Sequence, residues 1–155
     1  MSARSKARKR ALDVLYESDM RGTSASDVLA SQIDRRLDSG DPALNAYVSE
    51  LVAGVQTHRE RIDELLGTYS MGWTLARMPA VDRSILRMAC YEVLWRDDIP
   101  DAVAISEAVA LAQELSTEES ATFVNGLLGR LSDVKGRLGI QAEGQAAPSL
   151  PLPSE

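Results

Sequence analysis

The chain has 155 residues, 45% of them hydrophobic and 26% charged, with a formal net charge of −6. Roughly two-thirds of the unfolded surface can be buried at that length, so no staple is needed. The single cysteine, Cys90, and the single histidine, His58, exclude a disulfide framework and multi-cysteine or multi-histidine metal sites.

No apolar run approaches the ~18 residues a membrane span requires. The opening MSARSKARKR lacks the apolar stretch of a secretory signal. A reducing cytoplasm and no membrane partner are therefore expected.

The first predicted helix runs from about Ser5 to Arg21, with Ala7, Ala11, Val14, Leu15 and Ser18 at helical spacing and Gly22 as its stop. Residues 1–10 form a basic N-terminal arm: Arg4, Lys6, Arg8, Lys9 and Arg10 with no acid, +5, whereas the remaining residues carry −11. Positive charge at a helix N-terminus opposes the macrodipole, a mild cost that an anionic ligand would offset. On charge alone, a solvated terminus fits equally well.

A second helix follows Thr23-Ser24, either hydroxyl being a suitable cap, and carries Leu29, Ile33 and Leu37 on one face. After the break at 38–42, Asp41 is placed as N-cap and Pro42 as first residue of a third helix bearing Leu44, Tyr47, Val48, Leu51, Val52 and Val55. A fourth carries Ile62, Leu65, Leu66 and Tyr69. The fifth, from Pro79 to about Trp95, is apolar over more than half its circumference, as a central helix must be. A sixth carries Ile105, Ala108, Val109, Ala112 and Leu115, and a seventh begins near Thr117 or Ser120 and carries Phe123, Val124, Leu127, Leu128 and Leu131. Period-2 alternation is absent. The predicted fold is an all-α bundle of about seven helices over 11–138, followed by a disordered Pro/Gly/Ala-rich tail over 139–155.

Catalytic constellations are poor. His58 reads as a polar residue of a helix's C-terminal turn, and Cys90 as an inert core thiol. Walker and GxGxxG patterns are absent, so neither cofactor nor metal is expected and the chain does not read as an enzyme. Binding features are stronger. Lys9 and Tyr16 lie seven apart and share a helix face, with Asp13 and Met20 near it. Cations could hold phosphates there while the ring stacks a base, worth about 1–3 kcal/mol; core packing of Tyr16 is the competing reading. Phe123-Val124-Asn125-Gly126 is unusual for a helix, and Phe123 fits either packing or binding.

Four stretches together are specific. The basic start runs into Ala11-Leu12-Asp13-Val14-Leu15-Tyr16-Glu17; Leu51-Val52-Ala53-Gly54-Val55 follows; then Val81 through Leu94; then Ile99-Pro100, Val103 through Ala112, and Phe123-Val124-Asn125-Gly126-Leu127-Leu128. In order and spacing the chain resembles the NusB family of bacterial transcription antitermination factors. The resemblance implies an all-α fold that pairs with NusE, a small-subunit ribosomal protein. It also implies binding to the single-stranded boxA element of nascent ribosomal RNA leaders, within an RNA polymerase antitermination complex.

Residue by residue, the resemblance assigns Arg4, Lys6, Arg8, Lys9 and Arg10 to the RNA-binding segment, with Tyr16, Phe123 and Arg87 beside the RNA. Glu119 falls where loss of an acid would favour RNA, and Asp82 at a position linked to complex formation. The arm departs from the family in mixing lysine with arginine, which reduces bidentate phosphate contacts, and Ser106 stands where relatives often have Asn. Two alternatives are an accessory module of the ribosomal RNA methyltransferase type acting in trans, and a helical protein–protein adaptor. Monomer and homodimer are both compatible with the sequence. With five cations each on a phosphate, log K should fall against log salt at a slope of about −3 to −4.

Overall fold

The computed structural model describes residues 2–143. Among them are six α-helices: α1 (Ala3–Arg21), α2 (Ala25–Ser39), α3 (Ala46–Tyr69), α4 (Ala80–Trp95), α5 (Asp101–Leu115) and α6 (Glu118–Val134). Single 3₁₀ turns follow at Leu75–Arg77 and Lys135–Arg137. Side chains fix four of the starts: Ser2, Ser24, Asn45 and Thr117 each accept a hydrogen bond from a backbone N–H of the first turn. α4 and α5 instead begin directly after Pro79 and Pro100, whose extended backbone ends the preceding loop. Gly22 and Gly40 close α1 and α2 in the left-handed conformation, at φ 67° and 71°.

The all-helical fold agrees with the sequence, but the helix count differs. The predicted third and fourth helices are one, α3, of 24 residues. The polar Gln56-Thr57-His58-Arg59 stretch interrupts the apolar pattern without interrupting the backbone, since no glycine or proline lies within it. His58 is therefore mid-helix and not at a C-terminal turn. The start of α3 also differs: Asn45 is the N-cap, its Oδ1 accepting from the Tyr47 N–H at 2.8 Å, and not Asp41. Pro42 stays in the loop, its carbonyl taking two bonds from the Arg36 guanidinium.

α4 is the centre of the fold. Every residue from Ser84 to Trp95 is buried, and α1, α3, α5 and α6 all pack on it. α1 runs antiparallel to it, as three ion pairs show: Arg4 with Asp98, Arg8 with Glu92, and Arg83 with Asp19. α3 packs closely because Gly54 faces the Tyr91 ring, and a Cβ at Gly54 would overlap that ring. Cys90 is fully buried, and burial pushes its thiol up, so it is not a thiolate nucleophile. By contrast α2 buries only Ala25 and Val28; Ile33 and Leu37 of its predicted apolar face are exposed, Leu37 to 71%.

Of the predicted tail, residues 139–143 run back along the end of α4; residues 144–155 lie outside the described residues. The Glu143 N–H donates to the Trp95 carbonyl, and its carboxylate takes the Tyr91 hydroxyl at 3.2 Å and lies 2.6 Å from His58 Nε2. His58 in turn stacks on Trp95 at 4.4 Å.

Two outcomes test this packing. Gly54→Ala should destabilise the protein by about 1–3 kcal/mol in urea, because overpacking outweighs the helix-propensity gain. Burial works to raise the Asp19 carboxyl, but Arg83 and Arg87 outweigh it and hold it below the ordinary range. Its contribution is then complete above the unfolded value of about 3.9 and is lost as pH falls through the lowered folded value. The stability difference between wild type and Asp19→Asn should therefore narrow from pH 7 to pH 3.

Candidate nucleic-acid interface

The arm is not a free segment: Ala3–Arg10 are the first turns of α1. Helical geometry then divides its five cations between two faces. Ala7, Arg8, Ala11, Leu12, Val14, Leu15 and Ser18 turn inward, whereas Lys6, Arg10 and Tyr16 are exposed and Lys9 half-buried.

Arg8 is 2% exposed, and this corrects its assignment to a surface phosphate contact. Its Nε donates to both Glu92 oxygens at 2.9 and 3.0 Å, and Nη2 lies 2.9 Å from Oε2. The Tyr47 hydroxyl donates to the same carboxylate at 2.5 Å. Burial alone would lower the Arg8 value, but Glu92 more than offsets it, so the guanidinium is held charged. Arg4, Arg8 and Arg96 surround the Tyr47 ring at 4.5, 5.7 and 5.2 Å from its centroid.

Arg87 is corrected likewise. It is 6% exposed and committed to Asp63, with Nε–Oδ1 2.8 Å and Nη2–Oδ2 3.1 Å, and to Asp19 at 3.4 Å. A guanidinium bonded on two sides inside the bundle aligns α1, α3 and α4, and does not face solvent.

The cations outside the core differ in their freedom. Arg4 leans on Asp98 at 3.4 Å, and Lys9 on Glu114 of α5 at 2.5 Å. Lys6 and Arg10 make no hydrogen bond or ion pair among the described residues. With Lys9 and Asp13 they line a cleft of about 390 Å³. Desolvation raises the Asp13 carboxyl, against the pull of Arg10 and Lys9. A second cleft, of about 350 Å³, shares Arg10 and Asp13 and brings in Gln32, Arg35, Arg36 and Asp41 from α2 and the loop after it. Arg35 had no signal in sequence beyond a basic residue near a helix C-terminus, which the helix dipole alone would favour.

Both predicted rings reach the surface. Tyr16 is 41% exposed, which removes the core-packing reading. Phe123 is half-buried, its ring 4.7 Å from Trp73. Glu114, the partner of Lys9, lies in the last turn of α5, and the chain then turns through Ser116 and Thr117 into α6. Glu119 is exposed in the first turn of α6, and Phe123 follows one turn on. The Lys9–Glu114 pair thus ties the outer face of α1 to the last turn of α5, just before that corner.

Asp82 is fully buried and cannot touch a partner directly. It sits in the first turn of α4, and Ser120 Oγ donates to its Oδ2 at 2.6 Å. The Ser120 N–H donates to the α6 cap Thr117 at 3.0 Å, so Asp82 positions the turn that carries Glu119. No group of three or more His, Cys, Asp or Glu able to hold a metal occurs among the described residues.

The described residues form an all-helical fold with a buried cation–carboxylate framework and a row of cations on the outer face of α1. A sequence profile of the NusB family matches residues 5–133. The chain is 58% identical over 138 residues to the transcription antitermination protein NusB of Arthrobacter sp. (strain FB24), covering 89% of this chain and 98% of that one. A solved structure of T. maritima NusB is similar at TM-score 0.74 and 29% identity, covering 89% of this chain and 99% of that one. One chain of a crystal structure of antitermination factors NusB and NusE in complex with dsRNA shares the fold at TM-score 0.72 and 23% identity, covering 86% of this chain and 98% of that one. The chain belongs to the NusB family.

The split between the two faces of α1 is measurable. Arg8→Ala strands Glu92 in the interior and should cost about 3–5 kcal/mol in urea unfolding. Lys6→Ala with Arg10→Ala, on the outer face, should change stability by no more than about 0.5 kcal/mol per site.

Proposed function

We propose that this chain is an RNA-binding transcription antitermination factor of the cytoplasm. It pairs with NusE, the small-subunit ribosomal protein, and binds the single-stranded boxA element of nascent ribosomal RNA leaders. The complex helps RNA polymerase read through termination signals. The chain acts by binding alone, with no covalent step. The observation that carries this reading is the outer face of α1, where Lys6, Lys9 and Arg10 line an open cleft on an otherwise acidic body.

Phosphates of the strand take the α1 cations. Lys9 exchanges Glu114 for RNA at little cost, since an exposed ion pair is worth only about 0.2–1 kcal/mol. Tyr16 and the Phe123 edge offer surfaces on which unstacked bases rest. Glu119, exposed near that corner, repels the strand, so loss of its charge favours binding. Arg8, Arg87 and Asp82 support this surface from within. NusE adds contacts to the same RNA and converts weak binding into tight binding through preorganisation.

With Arg8 buried, about four cations of the arm can reach phosphates, and log K should fall with log salt at a slope of about −2 to −3. Fluorescence anisotropy with a boxA RNA, with and without NusE, measures this. Binding should be weak alone and tighter with NusE. A slope near zero, or no binding at low salt in either condition, would overturn the reading in favour of a protein adaptor.

A further inference from the structure

We propose that the cleft between α1 and α2 is a second stretch of the RNA-binding surface, in which Arg10 and Arg35 hold phosphates of the strand that crosses Lys6 and Lys9. The inference rests on the reading of this chain as an RNA-binding protein and extends its site onto a helix that no assigned residue occupies.

Three observations carry it. Arg10, Arg35 and Arg36 converge on one open cleft of about 350 Å³, against two acids, Asp13 and Asp41, so its lining is net positive on a body that is net negative. Two of the three guanidinium groups are uncommitted: Arg10 and Arg35 make no hydrogen bond or ion pair among the described residues. Arg36 is anchored instead, its Nε and Nη2 both donating to the Pro42 carbonyl at 2.9 and 2.5 Å. It therefore presents a fixed charge at the far side with little entropy to lose. The third observation is continuity. Arg10 and Asp13 line both clefts, so a strand leaving Lys6 and Lys9 passes directly between α1 and α2.

Helix-dipole stabilisation explains a basic residue at the end of α2, but not why a cation from α1 faces the same space. Asp13 is the wall common to both clefts. In the free protein it offsets Arg10 and Lys9; a phosphate arriving there replaces it as their counter-charge.

The test uses the full chain with NusE and a 24-nucleotide single-stranded RNA centred on boxA, read by fluorescence anisotropy over a salt series. Arg35→Glu should weaken binding by about tenfold, and Arg35→Ala should reduce the salt slope by about 0.7, the value of one phosphate contact on a single strand. Arg137→Glu, on an exposed 3₁₀ turn after α6, controls for net charge and should change affinity less than about twofold. Thermal unfolding of each variant checks that the fold is intact.

If Arg35→Glu matches Arg137→Glu while Lys6→Glu still weakens binding, the α2 extension is overturned and the α1 site stands. Equal weakening by Arg35→Glu and Arg137→Glu also overturns it, since the effect would then be one of total charge. If neither Lys6→Glu nor Arg35→Glu weakens binding, RNA recognition by this face fails as a whole, and the extension with it.

Discussion

Burying an arginine is expensive, since the desolvation penalty is several kcal/mol per ion unless hydrogen bonds restore what water provided. Arg8 meets that condition. Glu92 accepts from two of its nitrogens, and the Tyr47 hydroxyl shares the same carboxylate. The consequence is positional. The pair joins the first turns of α1 to the last turns of α4, the helix on which four others pack. A helix fixed along that line can turn only one face to solvent, and on α1 that face carries Lys6, Arg10 and Tyr16.

The same chemistry, at different depths, gives the cations of α1 different work. At Arg8 the low dielectric makes the pair strong and its loss damaging. Arg4 and Lys9 lean on Asp98 and Glu114 at the surface, where water and salt weaken the attraction. Such pairs hold a side chain near its working position and release it readily. Lys6, Arg10 and, on α2, Arg35 make no hydrogen bond or ion pair among the described residues that binding would have to break. An acidic body limits attachment to arbitrary polyanions, while this edge supplies a local field of the opposite sign.

The opposite end of α4 is organised by a carboxylate. Asp82 accepts from Ser120 and so ties the first turn of α4 to the first turn of α6. The α5–α6 corner, with Glu119 exposed and Phe123 packed on Trp73, is thereby held against the body.

Periodicity and breakers in the sequence were enough for the helical class, the central position of α4 and the membership that the ordered motifs announce, because these depend on local spacing. The same information failed where tertiary contacts set the outcome. A polar run at 56–59 looks like the end of a helix, yet His58 stacks on Trp95 and α3 continues. Leu29, Ile33 and Leu37 have the spacing of a buried face, but among the described residues the last two stay exposed. The five cations of the arm are equivalent as a string of charges. Only the placement of Glu92 and Tyr47, 84 and 39 residues further along the chain, separates the one that holds the fold from those that face solvent. Charge type is a property of the residue; the dielectric around it, which decides whether it binds inward or outward, exists only once the helices have packed.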